Sequence, residues 1–350
     1  EHQPSKLGVV GSSPAGQASS TDLHDGGRSS KVESRIVIPV VVGSSPIGHP
    51  IPSRQMTQPR MWNRPDVTAG ASAGEAFVAN VRAALEQIDA NAAGAAEGRN
   101  PEYLHQLRVG LRRLRATLRA FHALLRKGKA SEFDRLLRDM LHALGVARDW
   151  DVFSRSQLNS DLLRVAQVRS AGERRAARGL LRAAPVRRTL QSVLAWTKTA
   201  PWRPGADPAE PATVFARRAL RRLRDRLRKE AAGIEWGNAA QRHRVRIKVK
   251  HLRYGCECFA AAYPPDATRR FLKRLRTLQR ILGELNDIAV QRRLLRGLAR
   301  DTRLRGRAAV ARARLAPRER TLTGELARAW DEFESMKPFW RRAAVVRARG

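Results

Sequence analysis

His105, Arg108, Arg112 and Arg115 have the spacing i, i+3, i+7 and i+10, which puts one imidazole and three guanidinium groups on a single face of a helix. These groups donate hydrogen bonds and carry positive charge, so their chemistry is the recognition of anions rather than the making of bonds. At about 1.5 Å per residue the row is roughly 15 Å long, a length that suits a chain of phosphates better than a single one. The row occurs twice. HQLRVGLRRLRATLRAF, from His105 to Phe121, is echoed by HRVRIKVKHLRYGCECF, from His243 to Phe259, so His243, Arg246, Lys250 and Arg253 repeat it at an offset of 138 residues. The next helix of each copy adds a further row: Arg135, Arg138 and His142 in the first, Lys273, Arg276 and Arg280 in the second. Four basic rows, paired by the repeat, could line one shared channel.

A basic helical row is most simply a solvated face. Here the motif rows are nearly devoid of i,i+4 carboxylates, start with histidine in both copies and exchange Arg112 for Lys250 at one matched position. Those three features favour a ligand for the motif rows and leave the third-helix rows evenly balanced. Either histidine alone would cap or pack a helix end; beside a polyanion both would be protonated and join the cations. Neither is accompanied by a carboxylate cluster of the kind that holds a metal, and His251 with Cys256 and Cys258 lacks a fourth zinc ligand. Asp149 and Asp287 are read as caps, or as partners that hold an arginine of the motif helix, rather than as catalytic acids. With no nucleophile elbow, Walker loop, HExxH or paired catalytic carboxylates, the chain offers no reaction.

The whole composition points the same way. Of 350 residues, 68 are Lys or Arg and 32 Asp or Glu, a formal charge of +36 that calls for a polyanion. Residues 1–70 carry seven basic and five acidic side chains, so the field belongs to the remainder, at 61 against 27. The two cysteines stand two apart in a helical stretch, where they cannot pair, and no apolar run is long enough to span a bilayer. A reducing, cytoplasmic setting is expected.

The elements that must position the rows are helices. Residues 1–70 are rich in Gly, Ser and Pro, without a sustained period, and are expected to be disordered; with Met56 and Met61 just ahead of the periodic sequence, much of this leader is expected to lie upstream of the natural start. From Ala71 onward Ala, Leu, Arg and Glu dominate. A helix is expected over Gly74–Ala93 with Phe77, Val81, Leu85 and Ile88 inward. A second follows from Pro101, capped by Asn100, with Leu107, Leu111, Leu114, Leu118 and Phe121 inward. A break at Lys127–Ala130, a third helix capped by Ser131 and a corner at Gly145 complete the first unit. The second copy follows the same plan after a proline-rich linker, Ala200–Pro211, and its later helices are interrupted near Pro317. Across His105–Val152 and His243–Val290, 13 of 48 positions are identical. The expected fold is all-α: two pseudo-twofold-related antiparallel four-helix bundles from an internal duplication, in halves of about 71–199 and 212–341.

The pattern HxxRVxxRRLRxxLxxF, then LxxLxxxLGxxRDxDV, with HxxRIxxKxLRY and LGxLNDxxV in the second copy, resembles the CHAD domain, the conserved histidine α-helical domain, over roughly Ala71–Trp340. The resemblance implies two four-helix bundles around a basic pore or groove that binds inorganic polyphosphate, and an association with polyphosphate granules. It implies His105, Arg108, Arg112 and Arg115 as one binding row and His243, Arg246, Lys250 and Arg253 as the other. Two flanking positions depart from the repeat, because Arg113 is matched by His251 and Arg119 by Glu257. The leader carries no ExExK signature of the triphosphate tunnel enzymes to which many relatives are fused, so no triphosphatase activity is implied. The expected function is non-enzymatic polyphosphate binding without cofactor or metal. Nonspecific nucleic-acid binding is the alternative, and a phosphohydrolase a third class that lacks metal-binding carboxylates.

Overall fold

The computed structural model describes residues 58–341 apart from Asp66, Ala69 and Arg99, and among these residues the chain forms ten α-helices and no β-strand. Most of the leader, with its two VVGSSP echoes, lies outside the described residues. Its last part packs onto the folded body: Arg60 exchanges backbone hydrogen bonds with the Asn91 side chain, Trp62 lies over Arg113, and Val67 is buried.

Helix α1, Ala73–Glu97, starts at a capping box in which Ser72 and Glu75 satisfy each other's backbone N–H, and it stops at Gly98, whose φ of 73° favours glycine. Helix α2, Pro101–Ala120, starts as its sequence demands, with proline at the first position and the Asn100 side chain accepting from the Glu102 N–H. Then follow α3 at Lys127–Phe153, α4 at Ser160–Arg182 and α5 at Ala184–Thr197. The second half contributes α6 at Ala212–Ala231, α7 at Ala239–Phe259, α8 at Pro265–Leu298, α9 at Arg305–Ala313 and α10 at Leu315–Glu334. Helices α2 and α7 begin at matched positions of the repeat, and so do α3 and α8. Each half has three long helices followed by a fourth member that is broken in two, at Ala183 in the first and at Arg314 in the second.

Two boundaries differ from the sequence expectation. Helix α3 begins at Lys127, not at Ser131, because the linker holds its start: the Arg126 N–H donates to the Pro201 carbonyl and its guanidinium to that of Trp202. Gly145 and Gly283 make no corner, since α3 and α8 run through them; an internal glycine costs a helix only about 1 kcal/mol, which the packing on either side outweighs. Asp149 and Asp287 therefore sit inside helices rather than capping them. The later helices are interrupted near Pro317 as expected, at Arg314, and Pro317 lies in the first turn of α10, where its missing N–H is harmless.

The linker itself is non-helical, as its prolines require, yet it is not loose. Pro208 and Glu210 accept from the first N–H groups of α1, Ala71 accepts from Ala212, and Leu124 accepts from Arg203. Glycine is needed at position 74, where a Cβ would come within 3.1 Å of the Pro208 carbonyl.

One core runs through both halves, and the inward faces read from the periodicity of α1 and α2 are buried in it, except for Leu85, which packs partly buried against it. Its centre is a set of four buried phenylalanines from two pairs of matched positions. Phe121 and Phe259 stand 4.9 Å apart between centroids, Phe77 lies 5.5 Å from Phe121, and Phe215 lies 5.2 Å from Phe121 and 6.1 Å from Phe259.

Helices α2 and α7 run together along this seam, and the two departures from the repeat are found there. The Arg113 guanidinium donates to Glu257 at 2.6 Å, with 11% and 5% of the two side chains exposed. Arg119 donates to the imidazole of His251. These contacts use the same two register positions, exchanged between the copies. Arg113 also lies 4.0 Å over the Trp62 ring, and Glu257 accepts a second bond from Arg253 at 2.5 Å. Glu257→Ala leaves two guanidinium groups facing each other and should destabilise the protein by about 3–5 kcal/mol, seen as a lower urea midpoint at unchanged slope. A shift no larger than that of the exposed Val168→Ala would show that the pair does not hold the seam.

Candidate anion-binding site

The middle turns of α2 and α7 bring Arg108, Arg112, Arg246 and Lys250 together, each within electrostatic reach of others in the set. All four are half-buried. The apolar residues between them on α2 (Leu107, Leu111) and α7 (Val245, Val249) face the core, so the helical period alone drives the cations to the opposite side. Nε and Nη1 of Arg108 and Nε of Arg246 are buried without a hydrogen-bond partner among the described residues. The Arg108 guanidinium passes over Gly145 of α3, where a side chain's first carbon would already touch Nη2 at 3.8 Å.

Two carboxylates stand near this set. Asp149 of α3 is held by Arg293 of α8 at 2.9 Å, and Asp287 of α8 acts on Arg246. Arg148, one residue from Asp149, adds a further cation beside Arg108 and His105. Positive groups therefore outnumber the carboxylates that can balance them.

That surplus shows in the protonation of the site. Burial, then the charges of Arg246, Arg112, Arg108 and Arg253, pulls the Lys250 ammonium down to about 6. Burial and Arg112 pull Arg108 down to about 9, still protonated at neutral pH. His105 is lowered by burial, against the pull of Glu102, and by Arg112, Arg148 and Arg108. Burial raises the Asp287 carboxyl in spite of Arg246.

The rows do not act at full length. Arg115 is clamped by Asp134 at 3.0 and 3.2 Å, and Arg253 donates to Gln279 and Glu257 and lies over the Tyr254 ring. Glu257 is the i,i+4 carboxylate of Arg253, so that end of the second row is neutralised. His243 is exposed and bonds Asn286 at 3.2 Å, whereas His105 is half-buried near Arg108 and Arg112. Of the third-helix rows, Arg135, Arg138, Lys273, Arg276 and Arg280 are exposed. Arg138 pairs with Asp139, Arg280 with Glu284 and Glu325, and Lys273 lines a separate hollow with Arg270, Arg274 and Glu332. What converges is one turn of each motif helix together with Arg148, which helical spacing places in neither row.

Residues 79–296 match the CHAD domain. The chain belongs to the CHAD family. It is similar to the crystal structure of the CHAD domain from the plant Ricinus communis, at 31% identity over 81% of this chain and 98% of that one, with a TM-score of 0.72. PptA from Streptomyces chartreusis shares the fold at 17% identity over 78% of this chain and 100% of that one, with a TM-score of 0.59. No curated protein matches the chain. The CHAD match ends within α8, so α9 and α10 lie beyond it. Within the CHAD region Cys256 and Cys258 are free core residues, and burial pushes the Cys258 thiol up to about 12. No described helix is long and apolar enough to cross a membrane.

The depressed Lys250 makes stability depend on pH. In the unfolded chain Lys250 keeps its proton up to its ordinary value of 10.5, whereas the folded protein releases it above about 6. Between those values the unfolded state binds more protons, so this group makes stability rise with pH, and its full penalty is felt below about 6. Lys250→Met should therefore raise the urea midpoint most at pH 6, with the gain shrinking towards pH 10. A gain independent of pH would mean that Lys250 is not charged at a cost.

Proposed function

We propose that this CHAD protein binds inorganic polyphosphate, without turnover, through Arg108, Arg112, Arg246 and Lys250, with Arg148 and His105 beside them. The observation that carries this reading is the convergence of half-buried cations from both copies of the repeat, with guanidinium N–H groups left without partners. Buried cations that repel one another are costly unless an anion enters among them. Guanidinium groups match phosphate oxygens with two parallel hydrogen bonds, and a flexible phosphate chain can meet cations on two helices at once. The family resemblance supplies the same ligand class. A duplex with fixed phosphate spacing would meet the exposed arginines first, and aromatic side chains for base stacking are absent from the set. The groups facing the ligand are donors, and Asp149 is engaged by Arg293, which favours holding over hydrolysis.

Long-chain polyphosphate should remain bound in the presence of duplex DNA at equal phosphate concentration; displacement by the DNA would support nonspecific nucleic-acid binding instead. Arg108→Glu or Arg246→Glu should weaken binding by roughly a hundredfold or more, the scale of a lost buried charge pair, while Arg312→Glu with Arg314→Glu should matter little. Binding at pH 7 should also take up a proton, because anionic phosphates restore the charge of Lys250. Calorimetry in buffers of different ionisation enthalpy reads this uptake, and Lys250→Met should remove it. Release of orthophosphate on long incubation with a divalent metal would replace holding by hydrolysis.

A further inference from the structure

At the other end of the α2–α7 seam, a cavity of about 300 Å³ is lined by Arg119, His122, Leu223, Arg226, Lys248 and His251. It lies on a different face of α7 from Arg246 and Lys250, since Lys248 and His251 fall on the far side of the helical wheel. We propose that this cavity is a second oxyanion site, which takes a compact phosphate group such as pyrophosphate or the end of a phosphate chain.

The lining is basic or imidazole except for Leu223, and it contains no carboxylate. Lys248 leans towards Glu230 at 4.0 Å and Arg119 bonds Asp134 at 2.9 Å, both carboxylates lying outside the lining. Arg226 makes no ion pair among the described residues, and His122 bonds only the Arg119 carbonyl. Just behind, Arg222 has Nε and Nη2 buried without a partner, and its charge, with those of Arg226 and Arg203, bears on His122. Burial and the charges of Arg119, Lys248 and Arg115 push His251 down to about 3, so it faces the cavity neutral. Its volume is at the small end of ligand sites, which suits a compact group.

The repeat shows that this arrangement, built from both halves, is not reproduced at the matched positions. The positions matching Arg226, Lys248 and His122 are Ile88, Gly110 and Ala260, all buried. There the space is shut: a Cβ on Gly110 would stand 2.7 Å from Ile88, and Trp62 covers Arg113, the match of His251. The open cavity, formed by α6 and α7 of the second half with the end of α2 from the first, carries cations or imidazole at these three positions. Solvation alone does not require all three changes to face one hollow.

The test uses the full chain carrying Arg112→Met and Lys250→Met, titrated with pyrophosphate at low salt by calorimetry, with folding checked by circular dichroism. Saturable binding is expected, weakened at least about tenfold by Arg226→Ala with Lys248→Ala and unaffected by Arg312→Ala with Arg314→Ala. If pyrophosphate does not bind, but the Arg226 and Lys248 pair weakens long-chain polyphosphate binding to the otherwise unaltered chain by that factor, the phosphate comes from a chain. If neither probe responds to the pair, or the Arg312 and Arg314 pair has an equal effect, the second site is overturned. The outcome is independent of the Arg108 and Arg246 reversals, so either site can fail alone.

Discussion

The Arg113–Glu257 ion pair fastens together two helices that, one or two turns away, carry like charges facing each other. Without an attraction along this seam, the repulsion among Arg108, Arg112, Arg246 and Lys250 would favour the separation of α2 from α7. Glu257 is well placed to resist it, since it accepts from Arg113 across the seam and from Arg253 along its own helix. The four phenylalanines beneath supply the apolar part of the same attachment. The cations are thus held close by contacts in which they take no part, which is how a binding site remains formed before its ligand arrives.

This division of labour makes sense of the two positions at which the repeat breaks. In an unbroken repeat, Arg113 and Arg119 would face arginines across the seam, and four positive charges would meet in the interior. Glutamate and neutral histidine at the matched positions turn that conflict into one buried ion pair and one hydrogen bond. The same asymmetry leaves the space at the matched positions shut, with Trp62 over Arg113, while the cavity beside Arg119 and His251 is open and basic.

Much of the fold could be read from residue periods. The cap at Asn100, the proline at position 101, the buried face from Leu107 to Phe121 and the non-helical linker all follow from local chemistry, which the structure preserves. Gly145 and Gly283 misled because a glycine's cost to a helix is small against the packing of a long one. The site was legible at its centre and not at its edges. Helical spacing places Arg115 and Arg253 with their rows, but it cannot show that Asp134 on α3 or Gln279 on α8 will claim them. Arg148 was hidden for a related reason: its neighbour in space is Arg108, 40 positions earlier, and its match in the second copy is an asparagine.

The interlocked phenylalanines also bear on the order in which the chain is made. Synthesis delivers Phe77 and Phe121 long before Phe215 and Phe259, so the first half leaves the ribosome with the middle of its core unfilled. Its helices can form, but the aromatic surface at their junction has to wait for α6 and α7. Until then the strongly basic first half presents both an apolar face and an open row of cations to the surrounding polyanions. Completion of the core and closure of the cationic set therefore come in one step, late in translation, and a ribosome stalled within the linker would hold a product with neither.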